Sequence, residues 1–333
     1  MRTAIYGAGA IGTALGAYIT KGGEPIDLIS RNAAHIAALK KDGAHITGTV
    51  DFCVKVNALL PGEMTGKYDI IFLATKQLDN AAVVGFLKDF LSGDGVICTI
   101  QNGLPELSVS EVIGQNRTFG CAIAWGAEIK DAGVCALTSE PEALTFGLGG
   151  FESGDKAKLQ EIARILGLMG RVDIETNFMG ARWSKLLVNS AFSGLSAVLG
   201  ATFGEVADDK ASRLIAQKII KECIDTAAKA GVKIAPIQGK DVAKLLDYKN
   251  AVKQKISFLI IPLAMKKHKN IKASMLQDIE KGKKCEIDAI NGVVSQYGKK
   301  VGVPTPYNDK VVEIVKGIEQ GKYKPSRDNL RLF

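Results

Sequence analysis

The sequence predicts an α/β protein whose first half is a parallel-sheet domain and whose second half is all helix. Two observations carry this. Arg2-Thr-Ala-Ile-Tyr6 reads as a short strand that runs straight into Gly7-Ala-Gly9-Ala-Ile-Gly12, a G-x-G-x-x-G turn opening a helix. Strand and helix patterns then alternate to about residue 175, and from Asn177 onward the pattern is helical almost throughout. The expected division is therefore a Rossmann-type dinucleotide-binding domain over 1–175 and a helical domain over 176–333, the latter supplying substrate and catalytic groups.

In the glycine turn, Gly7 allows the tight bend, Gly9 lets the backbone approach a pyrophosphate, and Gly12 lets the helix pack on the strand. Ala8, Ala10 and Ile11 complete the loop, and the phosphates would sit on free N–H groups at the helix start. Ala14, Leu15, Tyr18 and Ile19 continue at helical spacing. Pro25 to Ser30 reads as the second strand, with Arg31 and Asn32 at its carboxyl end. An acid here would bind the ribose hydroxyls of NAD, whereas an arginine can pair with the 2′-phosphate of NADP. Asp27 falls too early, inside the strand, so the pattern favours NADP, a plain surface arginine being the alternative.

A helix over about 33–41 leads into a β-rich stretch, 44–56. Tyr68 to Ala74 is the continuous apolar run of a buried parallel strand, followed by Thr75-Lys76-Gln77. A helix over 80–90 precedes the strand 95–100, whose exit carries Gln101-Asn102-Gly103-Leu104-Pro105. The glycine turn, Arg31, Lys76 and Asn102 thus share one topological place, the carboxyl edge where open α/β sheets bind ligands. Strands within 119–138 and over 143–147, a helix over 153–169 and a strand over 172–175 close the domain.

Trp183 to Phe192 is apolar on almost every side, which marks a buried helix, yet it contains Lys185 and Asn189 one turn apart, and Ser193 extends that row. A buried ammonium needs partners or a shifted pKa, so Lys185 suits a polar cleft, with snorkelling or a structural ion pair as alternatives. Helices over about 208–230, 239–246 and 249–267 follow, then a loop at Ser274-Met-Leu-Gln-Asp278, a helix over 286–300 and a last helix over 308–320. Glu286 starts a helix with an Ile287, Ile290, Val294 apolar stripe, and periodicity leaves its carboxylate free to face either a cleft or water.

With 333 residues and 47% hydrophobic content the chain can bury a large core. Its six cysteines form no C-x-x-C pair and read as core residues of a reducing compartment, with neither a disulfide framework nor a zinc signature. The absence of a signal pattern or a long apolar run leads to the expectation of a cytoplasmic protein without membrane association. The net charge of +8 is spread over scattered lysines without interleaved aromatics, which argues against nucleic acid and suits anionic small ligands. A homodimer through the helical domain is compatible with apolar helix faces there.

With these stretches placed, the sequence resembles the ketopantoate reductase (2-dehydropantoate 2-reductase) family over essentially its whole length. The matches are Gly7 to Gly12, Thr75-Lys76, Gln101-Asn102-Gly103, Lys185-Leu-Leu-Val-Asn189, Ser274-Met-Leu-Gln-Asp278, and Glu286-Ile-Asp-Ala-Ile-Asn-Gly292 with Gly302-Val-Pro304. The resemblance implies NADPH-dependent reduction of 2-dehydropantoate to pantoate, a step toward pantothenate and coenzyme A. It implies that Gly7 to Gly12 and Arg31 hold NADPH, and that Lys76 and Asn102 lie near the nicotinamide and substrate. It makes Lys185 the acid protonating the ketone oxygen, gives Asn189 and Ser274 substrate contacts, and puts Glu286 at the cofactor–substrate junction, orienting the lysine. Where the family often has a second asparagine this chain has Ser193, which keeps open a related reductase of another small 2-keto acid. A non-catalytic NADP-binding regulator is the alternative from outside enzymology.

Overall fold

The computed structural model describes residues 1–237 and 239–333. The chain divides into two compact units, Met1–Gln101 with Pro105–Phe178, and Asn102–Leu104 with Met179–Phe333.

The first unit opens with β1 (Thr3–Tyr6), α1 (Ala10–Lys21), β2 (Asp27–Ile29) and α2 (Ala33–Asp42), then β3 (Ala44–Gly48), β4 (Phe52–Val54) and β5 (Asn57–Leu59). It continues through β6 (Tyr68–Leu73), α3 (Asn80–Lys88), β7 (Leu91–Thr99), α4 (Pro105–Ile113), β8 (Thr118–Ile123), β9 (Ala127–Asp131) and β10 (Val134–Leu137). It ends with β11 (Thr145–Gly150), α5 (Lys156–Leu166) and β12 (Arg171–Ile174). Eight strands form one sheet in the order β12-β11-β8-β7-β6-β1-β2-β5. Its stretch β5-β2-β1-β6-β7-β8 is parallel throughout and is the doubly wound order expected of a dinucleotide-binding sheet. The order reverses at β1, so the chain leaves the sheet in opposite directions on either side of the glycine turn, the switch point at which open α/β sheets bind ligands.

α1 packs by a buried face that includes Ala14, Leu15, Ala17 and Ile19. Each large aliphatic side chain so buried contributes about 1.5–3 kcal/mol. A second sheet, β4-β3-β10-β9, lies against the same helix. Asp27, read as too early to serve a ribose, is occupied: its carboxylate accepts Arg2 Nη2 at 2.9 Å, Tyr68 Oη at 2.7 Å and Asn57 Nδ2 at 2.6 Å. β2 is shorter than the expected 25–30, because past Asp27–Ile29 the Ile29 carbonyl accepts the Gly7 and Ala8 N–H groups.

The second unit is helical: α6 (Phe178–Val188), a π-helical turn (Asn189–Ser193), α7 (Gly194–Leu199), α8 (Phe203–Asp208), α9 (Lys210–Lys229), α10 (Val242–Leu246), α11 (Ala251–Met265), α12 (Ser274–Glu280), α13 (Ile287–Val301) and α14 (Pro306–Glu319). The sequence reading missed α4, α7, α8 and the π turn, and it took 274–278 for a loop where α12 stands. Among the described residues no helix is long and apolar enough to cross a membrane, none of the cysteines is in a disulfide, and no cluster of metal-ligating side chains occurs.

Candidate active site

In the first unit the exits of β1, β2 and β6 stand level, because Tyr6 is in register with Ile29 on one side and Leu73 on the other. Gly7 has φ +111°, a backbone only glycine adopts readily, and a Cβ there would come within 2.4 Å of Thr75 N. A Cβ on Gly12 would lie 2.4 Å from the Gly7 carbonyl oxygen and 2.9 Å from Ile5 Cγ2. These two glycines are demanded by the protein itself. Gly9 is not: its φ of −89° suits any residue, and a Cβ there would meet nothing within 4 Å. The space beside Gly9 is open, as a cradle for a bound group requires.

α1 begins without a capping side chain. Its first i→i−4 bond runs from Thr13 N–H to the Gly9 carbonyl at 2.8 Å, so the preceding amides of Ala10, Ile11 and Gly12 have no acceptor within the helix. N–H groups left without helical partners at the positive end of a 12-residue helix are of the kind that suit an anion.

The loop carrying Arg31 is tied to this turn, since the Ile29 carbonyl accepts the Gly7 and Ala8 N–H groups at 2.9 and 2.8 Å. The exposed Arg31 is near enough to Tyr6 for its charge to counter part of the rise that burial imposes on the Tyr6 hydroxyl pKa. Positions 30–32 are Ser, Arg and Asn; Asn32 caps α2 by accepting His35 N–H at 3.2 Å. No carboxylate stands where a ribose-binding acid would.

Lys76 is exposed on the turn after β6. That turn is fixed by a residue to which the sequence reading gave no role: buried Gln101 donates to the Thr75 carbonyl at 2.8 Å and exchanges amide hydrogen bonds with Asn80 at 3.0 and 2.8 Å. Reciprocal amide pairing between a strand end and a helix start leaves no sequence signature. Asn102 follows Gln101 directly and groups with the second unit.

In the second unit, the half-buried positions between 181 and 199 are Ala181, Lys185, Val188 and Asn189, all others being buried. They form one stripe at i, i+4, i+7, i+8, so Lys185 and Asn189 share the accessible line of an otherwise buried helix. Ser193 was expected to continue this row along an unbroken α-helix, and the path differs. Gly194 N–H bonds to the Asn189 carbonyl five residues back, a π turn. Four residues overshoot a turn of α-helix and fall short of a π turn, so the looser winding returns Ser193, 9% exposed, toward the line of Lys185. Ser274 is the exposed first residue of α12, and Glu286, 9% exposed, sits immediately before α13. α12 and α13 both pack against the π turn and α7, which brings the elements bearing Asn189, Ser193, Ser274 and Glu286 together. The start of α13 is held by Glu319, which accepts Cys285 N–H at 2.8 Å.

Gly9→Ala is expected to leave the unfolding free energy within about 0.5 kcal/mol of wild type, whereas Gly12→Ala lowers it by about 1–3 kcal/mol. Urea denaturation of the two variants checks this; equal losses would make Gly9 a packing glycine.

Comparison with known proteins agrees with this architecture. Residues 3–150 match the family model "Ketopantoate reductase PanE/ApbA" and residues 177–319 match "Ketopantoate reductase PanE/ApbA C terminal". A 2-dehydropantoate 2-reductase from Pyrococcus horikoshii is 30% identical over 325 residues, covering 96% of this chain and 98% of that one. Among solved structures, a D-mandelate dehydrogenase with NADH and anilino(oxo)acetate superposes with a TM-score of 0.82 at 22% identity, covering 96% of this chain and 99% of the other. A dimeric ketopantoate reductase from Staphylococcus aureus gives 0.75 at 18% identity, with 97% and 100% covered. With both units matched in order and a relative aligned nearly end to end, the chain belongs to the ketopantoate reductase family of oxidoreductases.

Proposed function

We propose that this chain reduces 2-dehydropantoate to pantoate with NADPH. The observation that carries the reading is the single accessible stripe of an otherwise buried helix, on which a lysine and an asparagine stand one turn apart. The open space at Gly9 and the amides of Ala10, Ile11 and Gly12 fit a pyrophosphate, and Arg31, with no acid beside it, fits a 2′-phosphate. NADPH, when bound, supplies the hydride that reduces C2 of the keto acid.

The protein's own residues do the rest. As the C2 carbonyl is reduced, negative charge grows on its oxygen; the Lys185 ammonium stabilises that charge, donates its proton to give the 2-hydroxy acid, and is reprotonated from solvent. Lysine suits the task as a compact charge that gives up its proton readily once partly desolvated. Asn189, Ser193 and Ser274 offer hydrogen bonds to the substrate's hydroxyl and carboxylate, and Glu286 orients the lysine. Lys76 and Asn102 contribute at the nicotinamide and substrate. The net positive charge of +8 favours encounter with two anionic ligands. Six cysteines held as thiols suit the reducing cytoplasm.

Ser193 favours a second reading, in which the substrate is a different 2-keto acid: serine is shorter than asparagine and leaves more room. The D-mandelate dehydrogenase likeness, at 22% identity, bears on the fold alone.

The helical unit also carries a face suited to self-association. Val252, Ile256, Leu259 and Leu263 recur at the spacing of one side of α11 and are 70, 49, 57 and 73% exposed. A two-fold axis would set this stripe against its own copy, and we infer a homodimer.

A steady-state assay of NADPH oxidation against 2-dehydropantoate and a panel of 2-keto acids tests the reaction: 2-dehydropantoate should give the highest kcat/KM. Lys185→Ala should lower kcat by about two to four powers of ten with NADPH still bound; a variant within threefold of wild type removes Lys185 from its role. Arg31→Ala should raise the Kd for NADPH about tenfold or more and leave that for NADH nearly unchanged, as followed by fluorescence titration; equal losses mean the arginine does not read the phosphate. In sedimentation, wild type should run as a dimer and Leu259→Asp with Leu263→Asp as a folded monomer, an unchanged mass counting against α11.

A further inference from the structure

A chain of buried polar groups runs through the helical unit and ends on the π turn. It starts at Glu222 on α9, 8% exposed. The Glu222 carboxylate accepts Tyr307 N–H at 2.9 Å, Asn308 N–H at 3.0 Å and Asn308 Nδ2 at 2.8 Å, capping the first turn of α14. Asn308 Oδ1 then accepts from Asn291 Nδ2 at 2.9 Å, and the same Nδ2 donates to the Ser190 carbonyl, inside the π turn, at 2.9 Å. Asn291 and Asn308 are fully buried.

The direction of this chain is dictated by chemistry. Burial pushes the Glu222 pKa up, yet its two oxygens each face a backbone N–H, of Tyr307 and of Asn308, and so act as acceptors, which turns the Asn308 NH₂ toward Glu222 and its oxygen toward Asn291. Asn291 must then present its NH₂ to Asn308 and to the Ser190 carbonyl. Glycine at 194 makes room: a Cβ there would lie 2.6 Å from Asn291 Oδ1 and 2.9 Å from Val311 Cγ1. Three buried polar side chains where aliphatic ones would fill the bundle are costly unless they specify one arrangement. The arrangement at the end of this chain is the turn that starts at Asn189 and finishes at Ser193.

We propose that Asn291 is a positioning residue, held in its working orientation by Asn308 and Glu222, which fixes the π turn so that Lys185, Asn189 and Ser193 present one row to the substrate. The inference rests on the reductase reading for what that row does. Asn291 touches neither substrate nor cofactor; it acts through the Ser190 carbonyl.

Asn291→Leu keeps the side chain's size and removes its donor, and Glu222→Gln keeps the shape at the far end while releasing the fixed polarity. Asn291→Leu should raise KM for the 2-keto acid at least tenfold and lower kcat further, while the Kd for NADPH stays within twofold of wild type. Glu222→Gln should raise KM at least threefold, and it carries the test should Asn291→Leu not fold. Amide hydrogen exchange supplies a readout independent of activity: Gly194 and Leu195 should exchange at least tenfold faster in each folded variant. Loss of thermal stability with KM, kcat and exchange at Gly194 unchanged would reduce Asn291 to a packing residue and overturn the inference. Should wild type itself reduce no 2-keto acid, the reductase reading fails, and exchange at Gly194 and Leu195 still decides the positioning role alone.

Discussion

Three backbone amides at the start of α1, those of Ala10, Ile11 and Gly12, lack an acceptor in their own helix, and the strand exits around them are arranged accordingly. Gly7 bends the chain at a φ only glycine tolerates well, Gly12 lets α1 settle against Ile5, and Gly9 leaves its side-chain position open. The Ile29 carbonyl accepts two N–H groups of the turn, which locks the loop bearing Arg31 to the same place. Gln101 and Asn80 lock the turn bearing Lys76. Arg31 and Lys76, both exposed, bring positive charge to an edge that already carries the N–H donors of a helix start, an arrangement suited to an anionic group.

The helical unit solves a different problem, that of keeping polar groups usable inside an apolar bundle. Desolvation makes an ammonium and an amide expensive on a buried helix unless one line of it stays accessible. The stripe 181, 185, 188, 189 is that line. A π turn then shifts the winding so that Ser193 returns toward it, and the turn's own Ser190 carbonyl is held by a side chain 101 residues further on. The accessible polar row of α6 and the buried polar chain from Glu222 thus both meet the π turn.

Much of this was legible in the sequence because it is periodic or positional. The glycine turn, the apolar run of β6 and the i, i+3, i+7 stripe of α13 each repeat a pattern that one kind of element satisfies. The lysine and asparagine at 185 and 189 stood out because they interrupt such a pattern. What escaped is non-local or short. The π turn has no local signature, and its partner Asn291 lies on another helix. α12, of seven residues, is too brief for periodicity to separate from a loop, and α4 begins at Pro105, in what reads as the turn after a strand. The strands of the small sheet were readable one by one, but the pairing of β3 with β10 joins segments some ninety residues apart, and alternation within a strand does not name its partner. Asp27 was set aside as a ribose ligand by position alone; its bonds to Arg2, Tyr68 and Asn57 supply the physical reason.

The most direct measurement of the central claim is a titration of the amide-labelled protein with NADPH, following the backbone N–H resonances of Ala10, Ile11 and Gly12. Pyrophosphate binding at the start of α1 predicts that all three shift together, downfield, and saturate at one concentration. NADPH that binds without moving them, or that does not bind, would contradict the account.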